Sequence, residues 1–150
     1  MKTTKCQCGQ DILFDDVDFD YYSKFNLRCG ERAGVNFYRH YKTIYLGREL
    51  LGIVDELTCD HIDQNKHNNQ KENLRIASQQ QNNCNVSKRK DNTSGYKGVY
   101  FNQPIQKFVA LIRVKGQRKH LGCFIDPVNA ARAYDKAAKE FHGSFAVTNF

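Results

Sequence analysis

Thr58-Cys59-Asp60-His61-Ile62-Asp63, followed by Asn73-Leu74-Arg75-Ile76-Ala77 and Ser78-Gln79-Gln80-Gln81-Asn82, is the stretch around which the chain is organised. Asp60 and His61 end a short run that reads as a strand, and successive side chains of a strand point to opposite faces. The carboxylate and the imidazole are therefore available for different tasks. Leu74 to Ala77 alternates as a second strand, and Ser78 with Gln81 has the Ser-x-x-Gln form of a capping box, which places a helix start at Ser78. Strand, polar loop, strand and helix then converge Asp60, His61 and Asn82. Hard oxygen ligands near an imidazole suit one divalent cation beside a general base.

Asp60-His61-Ile62-Asp63-Gln64-Asn65, Asn68-Asn69, Glu72-Asn73-Leu74-Arg75 and Gln81-Asn82-Asn83-Cys84-Asn85 follow one another in the order and approximate spacing of a known pattern. In this the chain resembles the phage-type HNH homing endonucleases, which have a ββα-metal fold. The resemblance implies that His61, as a neutral imidazole, takes a proton from the attacking water. Asp60 and Asn82 would hold Mg²⁺ or Mn²⁺, one ion per site, on the scissile phosphate and the departing 3′ oxygen. Asn73 is expected to complete the catalytic group structurally, its amide tying the loop to the strand of His61. Two positions depart from the family. Gln64 stands where Gly is common, and Gly47, in Tyr45-Leu46-Gly47-Arg48, stands where similar endonucleases often have His.

Outward from this centre, the 150 residues allow one large or two small domains, and 40% hydrophobic with 26% charged residues is ordinary for a soluble protein. No secretory signal or membrane span is legible, so a cytoplasmic setting, in a bacterial or phage-infected cell, is expected, with six Cys kept reduced. Cys6-x-Cys8, with Cys29 the nearest further thiol, falls short of the four ligands of a structural zinc site and reads as reduced, structurally unimportant thiols in preference to a metal site. Asp15 to Asp20 reads as a solvated acidic turn leading into Tyr21-Tyr22. Between Phe25 and Leu51 short alternating runs predict small antiparallel strands. Their Arg28, Arg32, Arg39, His40, Lys42 and Arg48, interleaved with Tyr38, Tyr41 and Tyr45, form either a phosphate-facing surface or an ordinary solvated sheet face.

A net charge of +7 points to a polyanionic partner. From residue 91 onward nine Lys and Arg stand against four Asp and Glu, so the C-terminal third carries most of the excess. Val86 to Gly95, with Lys88, Arg89 and Lys90 in succession, is nearly devoid of apolar residues and reads as a basic linker whose cations touch phosphate. Beyond it, Tyr96–Phe101, Lys107–Val114 and Arg118–Phe124 alternate as three strands. Asp126 then caps a helix with Pro127 in first position, Ala130, Tyr134, Ala137, Ala138 and Phe141 sharing a face, and Gly143 at its end.

Gly98-Val99, Phe108-x-Ala110-x-Ile112-Arg113, His120-Leu121-Gly122-x-Phe124, Ala130-Ala131-x-Ala133-Tyr134-Asp135 and Asn149-Phe150 resemble the Apetala/ethylene-response-factor (AP2/ERF) DNA-binding domain, with Phe108 where Trp is typical. The resemblance implies that a sheet enters the DNA major groove and exposes Lys97, Arg113, Lys115, Arg118 and Lys119. The expectation is thus an α+β protein with a nuclease domain at 1–86, a basic linker at 87–94 and a DNA-binding domain at 95–150. It would be a metal-dependent endonuclease acting on double-stranded DNA, as monomer or homodimer, without a small-molecule cofactor, leaving 5′-phosphate and 3′-hydroxyl ends in a homing or mobile-element role. A non-enzymatic DNA-binding regulator with an inert HNH motif is the alternative, and a zinc-stabilised RNA-binding module a more distant one.

Overall fold

Lys2–Lys5 (β1) and Asp11–Phe14 (β2) pair antiparallel across a turn at Cys6 to Gly9, and the alternation of β2 sends Ile12 and Phe14 inward to full burial. The computed structural model describes residues 1–30 and 34–150; the expectation for Arg32 lies outside the described residues. The acidic stretch is not a turn but a helix, α1 (Asp16–Tyr22). Asp16 and Asp18 in its first turn complement the positive end of the peptide dipole, while Phe19 and Tyr22, three apart, both pack against the core.

Arg28–Gly30 (β3), Gly34–Arg39 (β4) and Lys42–Tyr45 (β5) form the expected antiparallel sheet in the order β3-β4-β5, and Leu46–Leu50 (α2) follows. One core serves these elements, with Phe14, Phe37, Ile12, Leu27 and Leu46 buried at its centre. Aromatic rings fill it, Phe14 stacked on Tyr22 at 6.2 Å and Phe25 against Phe37 at 4.5 Å. At its edge lie Cys6 and Cys29. Burial raises the Cys6 thiol, but hydrogen bonds involving the Cys29 and Cys8 thiols bring it down to about 7, and Cys29 is pushed up by burial and the same neighbours.

Thr58–His61 (β6) and Leu74–Ala77 (β7) make a two-stranded antiparallel sheet, and Gln79–Asn82 (α3) packs against both. The capping box closes reciprocally. Gln81 N–H donates to Ser78 Oγ at 3.2 Å and Ser78 N–H to Gln81 Oε1 at 2.9 Å.

The chain divides into two units, Met1–Asn82 and Asn83–Phe150. In the second, Val99–Asn102 (β8), Lys107–Val114 (β9) and Gln117–Phe124 (β10) form an antiparallel sheet, and Pro127–His142 (α4) packs on one face of it. Asp126 Oδ1 accepts from Val128 N–H at 3.0 Å, Pro127 opens the helix, and Gly143 ends it with φ 55°. Alanines at 130, 131, 137 and 138 are buried, so the helix lies close to Ala110 and Ile112. The first strand begins three residues later than its alternation suggested, because Tyr96 to Gly98 turn beneath the chain end. There Asn149 accepts from Lys97 N–H at 2.7 Å, and Asp135 accepts from the backbones of Asn149 and Phe150 at 2.8–3.0 Å.

The basic segment before Gly95 belongs to the second unit and is hydrogen-bonded within it. Lys88 Nζ donates to Gly95 O at 2.9 Å, and Ser94 Oγ donates to Val99 O at 2.7 Å. No helix among the described residues is long and apolar enough to cross a membrane.

Candidate functional site

Register places Asp60 opposite Arg75 and His61 opposite Leu74. The two adjacent side chains diverge accordingly. Asp60 is buried, with Oδ2 2.7 Å from Arg75 Nε. His61 is half-buried on the other side, its Cε1 near the backbones of Gly34 and Gly47 and its Nε2 3.3 Å from Asn69 Oδ1. Asn69 is 1% exposed and its Nδ2 donates to Lys66 O at 3.4 Å, which leaves Oδ1 to accept from the ring. That bond favours the tautomer with its proton on Nε2. Burial pushes the imidazole pKa down despite Asn69, Asp63 and Asp60, so the ring is neutral near pH 7.

The loop between β6 and β7 is held by side-chain amides. Asn73 Nδ2 donates to Asp63 Oδ1 and to Asn68 O, both at 2.8 Å, and its Oδ1 accepts from Asp63 N–H at 3.0 Å. Asp63 also accepts from Asn68 Nδ2 and from Asn65 N–H at 2.8 Å. These bonds hold the Asp63 carboxyl below its ordinary value although burial opposes them. The loop is stitched to β2 as well, through Leu13 N–H to His67 O at 2.9 Å and Asn69 N–H to Leu13 O at 3.0 Å. Asn69 is thereby fixed from both ends. Gln64 sits at φ 64°, the left-handed conformation that glycine adopts without strain.

Asn82, half-buried, ends α3 on the same small sheet. At Gly47 a side chain has no room, because a Cβ there would lie 2.7 Å from Cys59 Sγ.

In the second unit the sheet has one face against α4 and one open. Ala110 and Ile112 face the helix, so Arg113, one residue on, is on the open face and pairs directly with Arg118. Both are exposed, as is Lys115 in the adjoining turn. Like charges directly opposite are destabilising, which is tolerable where an anion covers them. Lys119 pairs with Ile112, hence lies toward the helix, where its Nζ is 4.3 Å from the Phe141 ring centroid. Lys97 is half-buried, its ammonium on Cys84 O at 3.0 Å. Burial lowers its pKa.

No protein-family model matches the chain. Over 87 residues, 58% of its length, it is 31% identical to protein 3.8 of Escherichia phage T7 and covers 71% of that protein. The chain belongs to the family of phage T7 protein 3.8. A second similarity has another character. Over 70 residues, 47% of the chain, it is 43% identical to the AP2/ERF and B3 domain-containing transcription repressor TEM1 of Arabidopsis thaliana, of which it spans 19%.

In this member of the phage family, Asp60 and His61 lie on β6, Asn73 in the short 3-10 turn that leads into β7, and Asn82 at the end of α3. Arg113, Lys115 and Arg118 cluster on the second sheet. Lys97 and Lys119 do not join that cluster, since strand alternation and the Cys84 carbonyl direct them elsewhere. Arg48 is half-buried and donates to the carbonyls of Asp55, at 2.7 Å, and Leu57, so it shapes the loop before β6. Exposed Arg89 pairs with Asp91 at 2.8 Å, and Lys90 is exposed. Sequence reasoning assigned no role to Asn69 or Arg75. Both sit within the quoted motifs, and only the folded loop and the strand register reveal their partners.

Proposed function

We propose that the N-terminal unit is an HNH-type, ββα-metal nuclease core that hydrolyses DNA phosphodiester bonds with a divalent cation, and that the C-terminal unit is its DNA-reading domain. The observation that carries this reading is the antiparallel pair β6–β7 followed by a capped α3, with a neutral His61 whose tautomer is set by Asn69. Nδ1 of His61 takes the proton of the attacking water. Asp60 and Asn82 would hold Mg²⁺ or Mn²⁺, hard cations matched to oxygen ligands, and the ion supplies charge stabilisation at the phosphate and the departing 3′ oxygen. The products are 5′-phosphate and 3′-hydroxyl ends. Membership in a phage family supports a homing or other mobile-element role.

The second reading is a regulator that binds DNA without cutting it. Similarity to a transcription repressor favours it, as does the pairing of Asp60 with Arg75. Incubation with plasmids and Mg²⁺, against an EDTA control, separates the two readings. Nicked or linear product supports the nuclease, and inertness across a broad range of DNA sequences supports the regulator. Asp60→Ala and Asn82→Ala should each raise the Mg²⁺ concentration needed for cleavage, and their effects should be non-additive because both ligands serve one ion. An unchanged metal requirement in both variants would refute the shared site.

Recognition has its own test in the full-length protein. Arg113→Ala and Arg118→Ala should each weaken DNA binding and reduce the steepness of its salt dependence by about one counterion. Lys119→Ala should leave that slope unchanged, because its ammonium lies on the helix side. Equal effects for all three would mean that the open sheet face is not the reading surface.

A further inference from the structure

The turn joining β1 to β2 and the middle of β3 are far apart in sequence, yet the Sγ atoms of Cys6, Cys8 and Cys29 lie within 4.8 Å of one another. Their arrangement is built by backbone bonds. Gly9, at φ 84°, donates its N–H to Cys6 O at 2.9 Å, and Cys6 N–H donates to Gln10 O at 3.0 Å, which folds Cys6-Gln7-Cys8 into a tight turn. Gln7 N–H donates to Leu27 O at 2.9 Å and pins that turn to the chain entering β3. Cys6 is buried at the core edge, Cys29 is half-buried, and Cys8 is exposed at the tip. The three sulfurs thus face one point from inside, beside and outside the core.

We propose that Cys6, Cys8 and Cys29 bind one Zn²⁺ ion as thiolates, with a water molecule as the fourth ligand. Zn–S bonds of about 2.3 Å put tetrahedral sulfurs about 3.8 Å apart. The present spread of up to 4.8 Å therefore closes with a contraction of about 1 Å. Soft sulfur ligands select zinc and reject Mg²⁺, so this site and the oxygen site at Asp60 and Asn82 take different ions. Binding displaces whatever thiol protons remain and leaves a zinc–trithiolate centre of charge −1. The ion staples the first hairpin to the β3-β4-β5 sheet and stabilises the first unit through its binding free energy.

Co²⁺ is the probe. The reduced, metal-stripped full-length protein is titrated with it, and thiolate-to-cobalt charge-transfer absorption is recorded, a band that a hard-oxygen or imidazole site does not give. The wild type should show the band with tetrahedral d–d transitions, saturate at one equivalent, and lose both on adding one equivalent of Zn²⁺. Cys8→Ser should abolish the band, and because Cys8 is exposed its fold should survive, as circular dichroism would verify. Cys29→Ser should do the same. Cys59→Ser, Cys84→Ser and Cys123→Ser should retain it, and loading with Zn²⁺ should raise the thermal midpoint of the wild type but not of Cys8→Ser. Absence of the band in the wild type, or its persistence in Cys8→Ser, overturns the site. Neither result bears on the nuclease reading.

Discussion

His61→Ala is expected to lower DNA cleavage by about 10²–10⁴-fold, the usual loss for a general base, while DNA affinity stays near that of the wild type. In the proposed mechanism the imidazole acts on water and not on the duplex, so truncation would touch chemistry and leave binding. Plasmid nicking rates and a mobility-shift titration on the same preparation check both halves. Cleavage near the wild-type rate would end the assignment. Asn69 provides a finer test of positioning. Asn69→Asp keeps an acceptor oxygen for His61 Nε2–H and should retain more cleavage than Asn69→Leu, which has none. A purely structural requirement for Asn69 would reverse that order, since a buried charge costs more than a buried Leu.

Gly98→Ala should be the most damaging single-methyl change in the C-terminal unit. At φ 75° an L-residue is strained, and the added Cβ would lie 2.0 Å from Tyr134 Cδ2, in the ring that α4 presents to the sheet. Left-handed strain of about 1–2 kcal/mol and overpacking of about 1–3 kcal/mol combine. Each kcal/mol lowers the midpoint of a unit this size by about 4–8 °C, so a fall of about 10 °C or more is expected. Gly95→Ala is the matched control. Its φ of 82° carries the same strain, but no atom lies within 4 Å of the new Cβ. Equal midpoints for the two variants would show that the tyrosine contact contributes nothing.

What was legible in the sequence is what local chemistry dictates. The Ser78–Gln81 box, the Asp126-Pro127 start, the Gly143 stop and the alternation of β7 and β9 each signal within a few residues, and each element stands where its signal put it. The α+β class followed from these. Composition misled where charge hid periodicity. Asp15 to Asp20 reads as a solvated turn because its carboxylates mask the helical pair Phe19 and Tyr22. Charge likewise says nothing of the local partners of the basic residues: Arg48 donates to loop carbonyls, Lys97 to a carbonyl beside Tyr134, and Lys119 lies over an aromatic face. Strand parity separates Arg118 from Lys119, but it needs the register. Asn69 on His61, Arg75 on Asp60 and Cys29 beside Cys6 are non-local contacts, and spacing along the chain carries no trace of them.

The ion pair between Arg75 and Asp60 bears on when the proposed nuclease is armed. Asp60 has a positive partner already, so a divalent cation arriving alone at the proposed site would meet a guanidinium 2.7 Å from its ligand and would have to displace it. A DNA phosphate changes the balance, because it offers the guanidinium a second anion with matching geometry. If the nuclease reading holds, cation and phosphate would enter as a linked pair, each raising the affinity for the other by the same factor. Off DNA such a site would hold its cation weakly, and a hydrolytic centre would assemble only where there is a backbone to cut.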